Sequence, residues 1–146
     1  SEVFVIVNGE ELEAILAQDD GSFQATTILT EGENVLTTYA RDAAGNESQL
    51  SRAYKIVLDT EAPPLDITKP TADQTIQGRS EQNLQVTGIT DPGVKVTVNG
   101  QLTYAKQDGA FSYNFRLQEG KNDLEFIVTD AAGNVTEEKL SVIFQL

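Results

Sequence analysis

Asp130-Ala131-Ala132-Gly133-Asn134 repeats, residue for residue, the stretch Asp42-Ala43-Ala44-Gly45-Asn46 found 88 positions earlier. Outward from this pair the likeness continues. Residues 20–46 and 108–134, compared at the same offset, share Asp20, Gly21, Phe23, Leu29, Glu31, Gly32, Asn34 and Leu36 as well as the five-residue run, 13 identities in 27 positions. Further upstream the offset becomes 91, and Val3, Val5, Val7, Asn8 and Gly9 align with Val94, Val96, Val98, Asn99 and Gly100. A loop three residues longer in the first copy accounts for the shift. Similarity at a fixed period marks an array of homologous modules.

Each copy reads as strands broken by turn residues. Val3-Phe4-Val5-Ile6-Val7 carries β-branched residues at alternate positions and runs into Asn8-Gly9, the pair favoured where a two-residue hairpin turn needs positive φ twice. Leu12–Ala17 is expected to return as a strand, since its counterpart Leu102-Thr103-Tyr104-Ala105 has strand character. Phe23, Ala25, Thr27 and Leu29 alternate with polar neighbours, as do Phe111, Tyr113, Phe115 and Leu117, which predicts a half-buried strand in both copies. Glu31-Gly32-Glu33-Asn34 and Glu119-Gly120-Lys121-Asn122 are corners at which Gly adopts positive φ. Leu36–Arg41 and Leu124–Thr129 follow as strands, Asp-Ala-Ala-Gly-Asn turns the chain, and Ser51–Leu58 or Glu138–Phe144 closes each copy.

Asp59-Thr60-Glu61-Ala62-Pro63-Pro64 separates the copies. Two successive prolines fix φ and make it a short, semi-rigid linker. Beyond it the second copy has material without a partner in the first: Leu65–Thr68, Thr75–Gly78 and Leu84–Ile89, three further short strands. With these, copy two holds seven to eight strands, spaced as in an all-β sandwich. The first copy offers only Ser1 and Glu2 in their place, so residues 1–58 read as a partial module and 59–146 as a complete one, with 59–64 as linker. Loss of those strands is expected to expose the Val3, Val5, Val7 face. The expectation is a mature fragment or an excised piece, or a module completed by strand complementation or self-association through residues 1–58.

The motifs V-x-V-x-V-N-G, D-G-x-F, E-G-x-N, D-A-A-G-N and D-T-x-A-P-P, in that order, resemble those of bacterial Ig-like modules that occur in tandem on secreted and surface proteins, including modules similar to the glucodextranase B domain. The resemblance implies an Ig-like β-sandwich serving as an extracellular stalk, spacer or adhesive module, with neighbouring Ig-like modules as its partners. It also implies the alternative of a carbohydrate-binding accessory module of a secreted polysaccharide-active enzyme.

Composition narrows the chemistry. A formal charge of −13 repels phosphate backbones and anionic lipid, which argues against nucleic-acid partners. The chain has no Cys, His or Met, the side chains on which zinc, copper and iron sites usually depend. No apolar run reaches the ~18 residues of a membrane span, and no membrane insertion is expected. An enzyme would need paired carboxylates, Lys, Ser or Tyr, yet the acidic residues cluster in turns and on outward strand positions. Catalytic residues are therefore not expected. Calcium, which takes carboxylate, amide and carbonyl oxygens, is the metal left open. The loops holding Asp91 and Asp130–Asn134 belong at the end of the second sandwich where the linker enters, so Asp59, Glu61, Asp91, Asp130 and Asn134 are candidate ligands of an inter-module calcium. The competing reading makes Asp-Ala-Ala-Gly-Asn a turn and nothing more. An aromatic carbohydrate platform of Tyr104, Phe111, Tyr113 and Phe115 is less favoured than core packing, because alternation puts the last three on one face. Lys95 and Lys106 lack the apolar setting of an isopeptide crosslink.

Overall fold

A computed structural model describes all residues, Ser1–Leu146. Two compact units divide the chain, Ser1–Thr60 and Glu61–Leu146, and all the regular structure is β apart from one 3₁₀ turn at Arg79–Glu81. The all-β, Ig-like architecture read from the repeat is the one observed.

The first unit is a single sheet of five strands: β1 (Glu2–Val7), β2 (Glu10–Glu11), β3 (Ile15–Leu16), β4 (Gly32–Arg41) and β5 (Tyr54–Leu58). Its order is β2-β1-β4-β5, with β3 also pairing β1. Asn8 and Gly9 have φ of 52° and 88°, the double positive φ that the hairpin requires. Of the expected return strand Leu12–Ala17 only β3, two residues, forms, and the equally short β2 lies just ahead of it. The closing strand is also shorter than expected. Arg41 faces Glu47, but Leu36 faces Tyr54, so the returning chain carries two surplus residues. Over that surplus Ser48 and Ser51 turn their Oγ atoms to the N–H groups of Ala40 and Thr38, both at 3.0 Å.

The second unit has eight strands: β6 (Asp66–Lys69), β7 (Thr75–Gln77), β8 (Asn83–Ile89), β9 (Lys95–Val98), β10 (Gln101–Tyr104), β11 (Ala110–Arg116), β12 (Gly120–Thr129) and β13 (Val135–Gln145). They form a five-stranded sheet, β10-β9-β12-β13-β7, and a three-stranded one, β11-β8-β6. The inner faces meet in a core of Val86 and Phe111 from the smaller sheet and Val96, Val98, Leu124, Phe126 and Val128 from the larger. A second cluster, Ile76, Leu117, Val142 and Phe144, extends it along β13. Phe111 is buried, with Tyr113 and Phe115 packed half-buried against the core, as the alternation predicts.

One expected strand does not form. Residues 22–30 of the first unit, aligned with β11, belong to no ladder. The reason is non-local: β11 is held by seven residue pairs with β8, from Ala110 opposite Ile89 to Arg116 opposite Asn83, and the first unit contains no counterpart of β8. Alternating sequence alone does not make a strand, because ladder hydrogen bonds need a neighbour.

Candidate functional site

Two features of the repeat are placed for function: the Asp-Ala-Ala-Gly-Asn turns and the inner face of the first sheet. In each turn the aspartate carboxylate closes a five-residue loop. Asp42 accepts from the N–H groups of Ala44 and Asn46 through Oδ1, both at 2.9 Å, and from Asn46 Nδ2 through Oδ2 at 2.8 Å. Asp130 accepts from the Asn134 N–H at 2.8 Å and from Asn134 Nδ2 at 2.9 Å. Both glycines have positive φ, 87° at Gly45 and 93° at Gly133. Hydrogen bonds to the ionised form, first from the asparagine side chain and then from backbone amides, hold both aspartates below the ordinary carboxylate range.

In the second unit this turn sits at one end with other acidic residues. Thr129 lies opposite Lys95, and Ile89 opposite Asp66, so the turn 90–94 with Asp91 and the turn 130–134 share the end at which the chain enters. There the Thr136 hydroxyl donates to the Pro63 carbonyl. Asp91 is exposed in its turn, Glu61 is exposed at the start of this unit, and Asp59 is exposed just after β5 in the first. No three Asp or Glu side chains anywhere in the chain converge into a group able to hold a metal ion.

The inner face of the first sheet departs from the expectation in a definite way. Val3, Val5 and Val7 are buried, only 4–7% exposed, where exposure had been expected. Their cover is the unladdered stretch: Phe23 lines a cavity with Val3 and Thr38, and Thr27, Ile28 and Thr30 line another with Val7 and Leu12. This cover is thin. Phe23 is 44% exposed where its counterpart Phe111 is 2% exposed. Leu36, Thr38 and Ala40 are half-buried at the positions of the fully buried Leu124, Phe126 and Val128. The substitutions of Phe by Thr and of Val by Ala match a face that packs less.

Two features escape a reading of the repeat. Asn34 and Asn122 are buried polar residues at the Glu-Gly-x-Asn corners. Asn122 accepts from the Gln118 N–H and donates to the carbonyls of Gln118 and Gly120 at 2.8–3.0 Å, and Asn34 makes the equivalent bonds to Thr30 and Gly32. Their recurrence at the offset of 88 was the available signal. On the outer face of the first sheet, Phe4 stacks on Tyr39 with centroids 4.7 Å apart, and the Arg41 guanidinium lies 4.6 Å over Phe4. Arg41 pairs with Glu2, and Tyr39 donates to Glu11 at 2.8 Å, which raises the Tyr39 pKa. This stack is private to the first copy, whose counterparts in the second are Lys95, Ile127 and Thr129. The proposed aromatic platform is not assembled: Phe111 is in the core, and Tyr104 stands apart, exposed on β10.

The sheets and their core define the class: tandem Ig-like or fibronectin(III)-like β-sandwich modules. The fibronectin(III)-like modules of Clostridium thermocellum CbhA share the fold, with a TM-score of 0.56 and 17% identity over 99% of this chain and 78% of that one. The chain matches the family of glucodextranase domain B twice, over residues 2–58 and 63–146, and belongs to it. It is 36% identical over 137 residues to Bacillopeptidase F of Bacillus subtilis (strain 168), a match covering 92% of this chain and 9% of that protein. It is 26% identical over 138 residues to the amylopullulanase of Thermoanaerobacterium thermosulfurigenes, covering 80% of this chain and 7% of that protein. The chain thus spans less than a tenth of the length of either relative.

Proposed function

We propose that this chain is a non-catalytic, extracellular structural or adhesive spacer, built from a partial module at 1–58 and a complete one at 59–146 joined by the linker 59–64. One observation carries the reading: the same module forms a small part of a protein named as a peptidase and of another named as an amylopullulanase. A part common to two different chemistries supports a role that neither chemistry requires, such as spacing, docking or adhesion. The residues agree with it, since the recurrent aspartates are engaged in closing turns.

A polysaccharide and glycan array tests the proposal against the carbohydrate-binding alternative. A spacer is silent on every glycan; binding that disappears in Tyr104→Ala would replace the proposal with the accessory-module reading. Two further parts belong to the proposal. Asp59, Glu61, Asp91, Asp130 and Asn134 are the oxygen donors proposed for calcium, supported by the net charge of −13 and, for Asp91, Asp130 and Asn134 alone, by the shared end of the 90–94 and 130–134 turns; since no three acidic side chains are gathered, the ion itself would have to draw its ligands together. Melting with calcium and with a chelator checks it, and identical melting temperatures would remove the ion. Residues 1–58 are proposed to take up additional β-structure by complementation, supported by the thin cover over Val3, Val5 and Val7.

A further inference from the structure

We propose that Glu31 is a positioning residue for the linker: together with Thr136 it fastens Asp59-Thr60-Glu61-Ala62-Pro63-Pro64 at both ends and confines its bending to Glu61 and Ala62. This rests on the spacer reading above and names the residues that keep such a spacer's linker stiff. The fastening begins at the Glu-Gly-x-Asn corner. Gly32 lies opposite Leu58, the last residue of β5, so the residue before Gly32 stands beside the chain leaving that strand. There the Glu31 carboxylate takes Thr60 with both oxygens: Oε1 accepts from the Thr60 N–H at 3.1 Å and Oε2 from the Thr60 hydroxyl at 2.8 Å. The corner is itself set by the buried Asn34 amide, which bonds Thr30 and Gly32. Glu31 therefore reaches out from a fixed base.

The second unit repeats the reach. Gly120 lies opposite Phe144, and Glu119 Oε2 accepts from the N–H of Leu146, two residues further on, at 2.9 Å. Leucine has no hydroxyl, so only one of the two bonds recurs, and threonine at position 60 supplies the other. A carboxylate that accepts two converging donors fixes direction as well as distance, and hydrogen bonds to an ionised group are the stronger kind. At the far end of the linker the Thr136 hydroxyl donates to the Pro63 carbonyl. Thr136 lies two residues past the turn that Asp130 closes and pairs with Val128, so this second fastening point is fixed as well. Between the two points lie Glu61 and Ala62. Ala62 precedes a proline, which keeps it near extended conformations, and Pro63 and Pro64 have φ fixed by their rings. With Thr60 also held, little of the linker backbone is left to turn.

The test is backbone amide ¹⁵N relaxation on the full 146-residue chain, unmodified and carrying Glu31→Ala, Thr60→Val or Thr136→Val. In the unmodified chain the Thr60, Glu61 and Ala62 amides are expected to have order parameters of about 0.85, the value of rigid backbone. Glu31→Ala removes both acceptors and is expected to bring Thr60 and Glu61 below about 0.6, into the flexible range. Thr60→Val keeps the branched shape and the N–H bond and is expected to fall between. Thr136→Val is expected to lower the Ala62 amide likewise. Thr60 below about 0.6 in the unmodified chain overturns the proposal, and so does an unchanged Thr60 in Glu31→Ala. An unchanged Ala62 in Thr136→Val overturns the second fastening point. Residues 32–41 are the check on folding. Where Glu31→Ala disturbs them too, Thr60→Val decides, since it alters no strand: lower order at positions 60 and 61 sustains the proposal and unchanged order overturns it. The glycan array decides the spacer reading separately, so a flexible linker in a chain silent on every glycan removes this proposal and leaves that reading standing.

Discussion

Phe23→Ala and Phe111→Ala make the same change at the same place in the two copies, and the account predicts different costs. Phe111 is 2% exposed and packed among Val86, Val96, Leu124 and Phe126. Its truncation removes the transfer term and leaves a cavity in a closed core, about 3–5 kcal/mol. Phe23 is 44% exposed, so only part of its transfer free energy is at stake, and a site open to water fills when the ring is removed. The expected loss is about 1 kcal/mol. For units of this size each kcal/mol moves the melting temperature by roughly 4–8 °C. Phe111→Ala should therefore lower melting of the second unit by on the order of 15 °C or more, and Phe23→Ala should lower that of the first by less than half as much. Calorimetry, with exchange of residues 32–41 and 120–129 to assign each transition, reads both. Equal losses would refute the argument that the two inner faces differ in cover.

Gly88→Val forces a side chain into the Phe111 ring and the Asp66 carbonyl; overpacking of this kind costs about 1–3 kcal/mol, visible as a lower denaturant midpoint for the second unit. Asn34→Ala orphans the Thr30 N–H and the carbonyls of Thr30 and Gly32, at about 1–3 kcal/mol. Asn34→Asp should be worse, because a carboxylate oxygen then faces two carbonyls; urea titration ranks the two. The pH dependence follows from the depressed aspartates of both turns. A carboxyl whose native pKa is lowered stabilises the fold fully above its unfolded value, about 3.9, and loses that contribution as pH falls through the native value. Asp42→Asn and Asp130→Asn should each flatten the acid limb of midpoint against pH and leave its slope near neutrality alone.

Much of the fold was legible because turns announce themselves locally. Asn8-Gly9, Gly32, Gly45 and their counterparts adopt positive φ, and the recurrence of Asp-Ala-Ala-Gly-Asn located the same strand connection twice. What escaped was non-local. Residues 23–29 have strand alternation but no neighbour to pair with, and alternation carries no information about whether a partner is present. The two surplus residues between Glu47 and Tyr54 lie beyond the run of identities that ends at Asn46, so no register was available to reveal them. The Arg41, Phe4 and Tyr39 stack occupies positions that differ between copies, and a comparison of copies passes over such positions. Val3, Val5 and Val7 are buried because chain not in a ladder can still lie over a sheet, an outcome that strand counting omits.

Amide exchange resolved residue by residue on the unmodified chain tests the central claim most directly, namely that one module holds residues 110–116 in a ladder of a closed sandwich while the other leaves residues 23–29 outside any ladder. The account predicts that residues 83–89 and 110–116 exchange only through unfolding of their unit, whereas residues 23–29, with no internal hydrogen bonds, exchange near the rate of an unstructured peptide. Protection at 23–29 equal to that at 111–117 would contradict it.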